Sequence, residues 1–239
     1  MPPVDIASFR SNGFVMTRGA LCDFDFAPLE ARFLGLAKER TGESYPAMND
    51  PALVSRINGD HDLEMYLYEE TRNHPELVEL SRSKKLTSVA AALFGDEEVV
   101  LLEKVPFRID CPMVIRELAV WHQDHFYVKG DVNTITAWIP LQETTFKEGC
   151  LMVMPGSHVD GPIPHDVHVL KKKYYPSDIF ARDVRYMEMK RGDVLFFHSC
   201  LLHSSGNNIS NTIRFSIQAR FLPASCESDA GMGKRIKIS

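Results

Sequence analysis

The chain changes character at Gly95. Beyond it, short apolar and β-rich runs recur at 99–102, 133–141, 150–154, 193–197 and 212–221, and Pro155-Gly156, Gly161-Pro162 and Gly206-Asn207 punctuate them. Many short strands joined by such breakers can bury their apolar faces only against one another, so a sandwich or barrel is expected. Before Gly95 the apolar spacing is helical. Leu29, Phe33, Leu36 and Ala37 make one stripe that stops at Gly42. Pro75 opens a second helix, in which Leu77, Leu80, Leu86, Val89 and Leu93 carry the apolar face up to Gly95. A brief strand is expected at 14–16, a polar loop at 41–60, and a mobile tail at 223–239. The expected fold class is mainly β with a helical N-terminal part. It forms a single domain over 1–222, with a lead-in to about 95 and a β core from about 96.

Composition narrows the function classes. The net charge is −5, and no concentrated basic surface is evident, so nucleic acid is not an expected partner. The longest basic run, Lys171 to Lys173, reads as a solvated loop face. The five cysteines are odd in number and form no CxxC pair, which fits free thiols in a reducing compartment. No stretch approaches the roughly 18 consecutive apolar residues of a membrane helix, and residues 1–10 lack an apolar signal core. A cytoplasmic protein is expected, with its oligomeric state left open.

The most informative segment is Trp121-His122-Gln123-Asp124-His125. On a strand, residues two apart point to the same face, so His122 and Asp124 can reach one ion. A second histidine would complete a 2-His-1-carboxylate set, which suits a divalent first-row metal and leaves coordination positions open. An HxD pair alone is equally a surface ion pair. His203 is the best third ligand, because it follows the apolar run 194–197 and precedes a polar turn. His198 is five residues away, on the opposite face of a continuous strand, and reads as a packed structural histidine. His125 either lies behind the ligands, faces substrate, or is a polar loop residue. Arg214 falls eleven residues after His203, and Gly206-Asn207-Asn208 supplies turn chemistry between them. A hairpin would return this arginine to the histidine, where its planar fork suits a carboxylate. The alternative is an ordinary salt bridge.

In order along the chain, WHQD (121–124), TAW (136–138), EGCLMVMPGSH (148–158), GDVLFFH (192–198), HSSGNNIS (203–210) and RFS (214–216) resemble the phytanoyl-CoA dioxygenase family. FRSNGFVMTRGAL near the start and HPELVEL with ALFGDE over 74–97 extend the resemblance to nearly everything but the tail. The resemblance implies a double-stranded β-helix (a cupin-like jelly roll) flanked by α-helices. It implies iron(II) on His122, Asp124 and His203, and 2-oxoglutarate on Arg214, with Trp138, Ser205 and Thr136 forming the cosubstrate pocket. Thr134, Thr136 and Trp138 share one strand face, as do Arg214, Ser216 and Gln218. Pro155 to His158 reads as a structural turn.

The implied chemistry uses O2 and 2-oxoglutarate, releases succinate and CO2, and oxidises an unactivated C–H bond, with ascorbate helpful in vitro. Halogenating relatives replace the metal carboxylate by a small residue; Asp124 is present here, which favours hydroxylation or another oxidation over halogenation. The substrate is expected to be a small metabolite. The loop 159–185 is either a lid or a solvated insertion, and its His165, His168 and lysines would suit an anionic ligand. Two rival classes stay open: a non-oxidative cupin-like metalloenzyme, and a jelly-roll binding protein with a degenerate site.

Overall fold

A computed structural model describes residues 4–72, 74–96, 98–114, 121–128, 131–168, 173–176, 182–226 and 235–238. The lead-in comprises α1 (Ile6–Asn12), β1 (Phe14–Thr17), α2 (Ala27–Thr41), α3 (Pro51–Gly59), α4 (His61–Arg72), α5 (Pro75–Arg82) and α6 (Lys84–Phe94). Then come β2 (Val99–Leu102), β3 (Phe107–Asp110), the short α7 (Asp124–Val128), β4 (Ile135–Pro140) and β5 (Leu151–Val153). Strands β6 (His165–His168), β7 (Lys173–Pro176), β8 (Arg185–Met187), β9 (Val194–His198), β10 (His203–Ser205), β11 (Arg214–Pro223) and β12 (Arg235–Ile238) complete the chain.

The helices follow local chemistry. In α2, Pro28 sits in the first turn and Gly42 closes the last one in the left-handed region, its N–H donating to the Lys38 carbonyl. The predicted stripe Leu29, Phe33, Leu36 and Ala37 is buried. Two expectations in the lead-in need correction. The stretch 41–60 is not all loop: Asp50 caps α3 by accepting from the Ala52 and Leu53 N–H groups, and Leu53, Val54 and Ile57 are buried. The second helix is two helices, broken at Ser83, whose ψ of 138 is extended. The six-residue step from Leu80 to Leu86 fits no helical repeat, and the break lies inside it.

Two antiparallel sheets make the core. The larger has the order β1-β9-β4-β11-β2-β12, with β3 also paired to β11; the smaller is β10-β5-β8; β6 and β7 form a separate hairpin. Alternation assigns the faces of the larger sheet. Phe215, Ile217, Ala219 and Phe221 of β11, Ile135, Ala137 and Ile139 of β4, and Phe196 of β9 pack with Phe33, Leu36 and the other buried helix residues. The opposite face presents Trp138, Leu195 and Phe197 to Leu151 and Val153 of the small sheet, with Met187 and Met189 beside them. The result is a jelly-roll sandwich with helices on one outer face. No helix among the described residues is long and apolar enough to cross a membrane.

The expected mobile tail is also revised. Strand β11 runs to Pro223, and Arg235–Ile238 pairs with β2, register Ile236↔Leu101. Partly buried Ile236 and Ile238 pack on the main core, which gives this end of the chain something to bury. Residues 169–172 and 177–181 of the loop 159–185, among them Lys171 and Lys172, lie outside the described residues. The parts of that loop that are described include β6 and β7.

The small sheet approaches its own connecting loop closely at Gly149. Its φ is +73, and an added Cβ would collide with the Gly206 carbonyl. Gly35, by contrast, lies mid-helix in α2 with nothing within 4 Å of an added Cβ. Gly149→Ala is therefore expected to destabilise the protein by about 1–3 kcal/mol. Gly35→Ala should stabilise it by roughly 0.5–1 kcal/mol. Urea unfolding of both variants checks this; equal midpoints would show that the Gly149–Gly206 approach is not a constraint.

Candidate metal centre

His122 and His203 are brought together by a backbone bridge. Each N–H donates to the other's carbonyl at 3.0 Å, which attaches His122 to the free side of β10 while β5 holds the other side. Their rings lie 4.2 Å apart, centroid to centroid. Asp124 does not sit on a strand, as the alternation argument supposed; it is the first residue of α7. The turn from extended chain at His122 into α7 is what swings the carboxylate inward. Asp124 Oδ1 lies 3.8 Å from Nε2 of His122 and 3.8 Å from Nε2 of His203. One ligand atom from each residue falls within 4.8 Å of the others. All three side chains are largely shielded, at 9%, 4% and 4% exposure for His122, Asp124 and His203.

The protonation states suit a cation. His203 Nδ1 lies 2.9 Å from the Leu201 carbonyl, so that nitrogen carries the proton and Nε2 keeps its lone pair for the centre. Burial pushes the His203 pKa down, and the nearby Asp124 and the Leu201 carbonyl only partly oppose this. Burial alone would raise the Asp124 pKa, but Arg220, the two histidines and the Thr136 hydroxyl together hold it well below the usual carboxylate range. A buried ionised carboxylate beside two imidazoles is the donor set of a divalent first-row metal site.

A second polar cluster lies on the same inner face of β11. Arg214 is 2% exposed. Its Nη2 is 2.8 Å from Asp110 Oδ2 and donates to Ser205 Oγ at 3.1 Å. The β3–β11 register sets Asp110 directly opposite Arg214, and Trp138 lies under the guanidinium at 6.0 Å. Arg214 Nε and Nη1 and the Ser216 hydroxyl are buried without hydrogen-bond partners. Buried donors left open on an arginine are costly unless an acceptor arrives, and a carboxylate fits them.

The predicted residues thus separate into two groups. His122, Asp124 and His203 come together, as do Arg214, Ser205 and Trp138. Thr136 is not in the second group: its hydroxyl donates to Asp124 Oδ2 at 2.6 Å. His198 is not among the clustered donors, though not by strand parity, since a turn places it on β9 and His203 on β10. It accepts from the Cys200 N–H and lies 5.4 Å from His158, and burial together with His158 pushes its pKa down to about 4. His125 sits on α7 with its Nδ1 buried and without a hydrogen-bond partner. The Pro155–His158 turn is structural in its contacts: Ser157 Oγ accepts from Leu202 N–H, one residue before His203.

Sequence reasoning missed three residues. Asp110 gave no local signal, because its partner lies far along the chain. Arg220 was within reach of the alternation rule, being two beyond Gln218 on the face already assigned. Gln123 ties the loop beyond Gly161 to the centre. Its amide donates to the Gly161 and Cys200 carbonyls and its oxygen accepts from Ile163 N–H. His165 from the same loop accepts the Gln123 N–H and stacks on Phe126 at 4.4 Å.

A helix-backed jelly roll with a buried two-histidine, one-carboxylate cluster defines a class of metal-dependent proteins. The family profile for phytanoyl-CoA dioxygenase (PhyH) matches residues 9–216. The chain belongs to this family of iron/2-oxoglutarate-dependent oxygenases. It is 36% identical over 232 residues to a 1-deoxypentalenic acid 11-beta-hydroxylase of Streptomyces exfoliatus, covering 91% of this chain and 80% of the relative. It is 24% identical over 233 residues to the peroxisomal phytanoyl-CoA dioxygenase of Rattus norvegicus, covering 92% and 68%. Among solved structures, the epimerase SnoN in complex with Fe3+, alpha ketoglutarate and nogalamycin RO is similar in fold, with a TM-score of 0.60, 20% identity, and coverage of 92% and 82%.

The separation of the two histidines gives a direct test. His203→Ala should lose stoichiometric iron(II), whereas His198→Ala should retain it. Metal content of the purified, folded variants after anaerobic loading measures this; loss of iron in the His198 variant alone would reverse the assignment.

Proposed function

We propose that this protein is an iron(II)/2-oxoglutarate-dependent dioxygenase that hydroxylates a small-molecule metabolite, with release of succinate and CO2. The observation that carries the reading is the pairing of two features on one inner face. One is a cluster of two imidazoles and an ionised carboxylate. The other is a buried arginine with open donors. The second argues against a non-oxidative cupin-like enzyme, which needs no cosubstrate anchor, and the intact three-donor set argues against a binding protein with a degenerate site.

His122, Asp124 and His203 would hold iron(II). Arg214, with Ser205, would fix the distal carboxylate of 2-oxoglutarate, and Trp138 would wall the space beside it. Iron(II) bound there supplies the chemistry of the class, in which decarboxylation of 2-oxoglutarate drives transfer of an atom of O2 to a substrate C–H bond. The chain's own contribution is placement and dryness. The Leu201 carbonyl orients His203. The apolar cluster of Phe197, Leu195 and Leu151 excludes water from the inner face.

The presence of Asp124 favours hydroxylation or another oxidation over halogenation, and the likeness to a hydroxylase at 36% identity supports hydroxylation among these. We place the protein in the cytoplasm, in keeping with its five free cysteines. An anionic substrate has weaker support, since Lys171 and Lys172 lie outside the described residues and His165 turns to Gln123.

Purified protein with iron(II), ascorbate and O2 should convert 2-oxoglutarate to succinate, and a metabolite screen should reveal the substrate that stimulates this turnover. Arg214→Ala should raise the KM for 2-oxoglutarate about 30-fold or more, since truncating one partner of a buried charged contact costs roughly 2–5 kcal/mol. Arg214→Lys should recover part of the loss, keeping the charge without the fork. An unchanged KM in a folded Arg214→Ala protein would make Arg214 a structural partner of Asp110 and reopen the cupin-like reading.

A further inference from the structure

Arg220 is a buried charge that the reading above leaves unused. It is 5% exposed, on the inner face of β11, and the Arg220↔Thr136 register sets it across from β4. Its Nε donates to Asp124 Oδ2 at 3.2 Å and its Nη2 to Gln218 Oε1 at 2.9 Å. Thr136 Oγ1 donates to the same Asp124 oxygen at 2.6 Å. Both restraints thus fall on Oδ2, while Oδ1 is the oxygen that faces the two imidazole nitrogens at 3.8 Å.

This asymmetry has a chemical consequence. An unrestrained carboxylate can offer a metal ion one oxygen or both. With Oδ2 committed to a guanidinium and a hydroxyl, turning it to the ion would leave two buried donors unpaired. A carboxylate that gives one oxygen leaves more of the ion's coordination positions open than one that gives two. An enzyme that must admit both a chelating cosubstrate and O2 needs those positions.

We propose that Arg220, with Thr136, is a positioning residue that locks Asp124 so that only Oδ1 is presented to the metal, keeping a coordination position open that a two-oxygen carboxylate would close. The proposal rests on the assignment of His122, Asp124 and His203 as metal ligands. It goes beyond that assignment by giving the geometry of one ligand a cause.

The test counts waters on the bound ion without turnover. Mn(II) is titrated into the folded protein, and the relaxation of water protons by the protein-bound ion reports how many exchangeable waters it keeps. In Arg220→Met, which has no donor, the freed carboxylate should take a second position, lowering the relaxation per bound Mn(II) by about a third, with Mn(II) still bound. Thr136→Val should move the same way by a smaller amount, and it keeps the test open if Arg220→Met does not fold. Arg220→Lys, which keeps a donor for Oδ2, should hold the signal near wild type. Wild-type relaxation in both Arg220→Met and Thr136→Val, with Mn(II) bound, would overturn the proposal. So would loss of Mn(II) binding itself in these variants, which would make the contacts part of the scaffold of the ligand set. Failure of the wild-type protein to bind Mn(II) would instead count against the metal-site assignment.

Discussion

Strand β11 carries two arginines into the interior of the sandwich, and the site is organised around neutralising them. A buried guanidinium without a partner is too costly to keep, and removing one member of a buried pair costs about 3–5 kcal/mol. Each arginine here has its own carboxylate. Arg214 faces Asp110 across the β3–β11 ladder, and Arg220 reaches Asp124 at the start of α7. The two pairs differ in what they leave over. Arg214 keeps open donors, which suit an incoming anion. Asp124 keeps an open oxygen, which suits an incoming cation. Alternation along one strand thereby sets a place for an anion and a place for a cation on the same inner surface. The opposite residues, Phe215 to Phe221, anchor the strand to the helices.

Other elements fix the remaining ligands to this strand. The backbone bridge between His122 and His203 makes the first and third proposed ligands neighbours whatever their side chains do. Ser157 holds Leu202, and Gly149 lets the small sheet pass close to the loop beyond Ser205. Gln123, between two ligands in sequence, spends its side chain on the Gly161, Cys200 and Ile163 backbone. The residue between His122 and Asp124 thus ties the backbone at Gly161 and Ile163 to this segment.

Much of this was legible in the sequence because it is written locally. The helical stripe of α2, the short strands and their Gly and Pro punctuation are all nearest-neighbour signals. The ligand pattern His122, Asp124, His203 and the spacing to Arg214 were legible through a family resemblance more than through geometry. His122 and Asp124 do not share a strand face, because Asp124 opens a helical turn, and His198 and His203 lie on two strands instead of one continuous strand. What was hidden was of two kinds. Helix α3 is short and set in polar surroundings, so its Asp50-Pro51 cap was the only strong sign. Asp110 and the Arg220–Asp124 contact join residues about a hundred positions apart, and no local pattern reports such pairs.

The central claim is that iron(II) and 2-oxoglutarate meet in one site on the inner face of β11. Anaerobic titration of 2-oxoglutarate into the iron(II)-loaded protein, followed in the visible region, tests it most directly. The account predicts a metal-to-ligand charge-transfer band that needs both components and saturates at one 2-oxoglutarate per chain. A folded protein that binds iron(II) but develops no such band with saturating 2-oxoglutarate would contradict it.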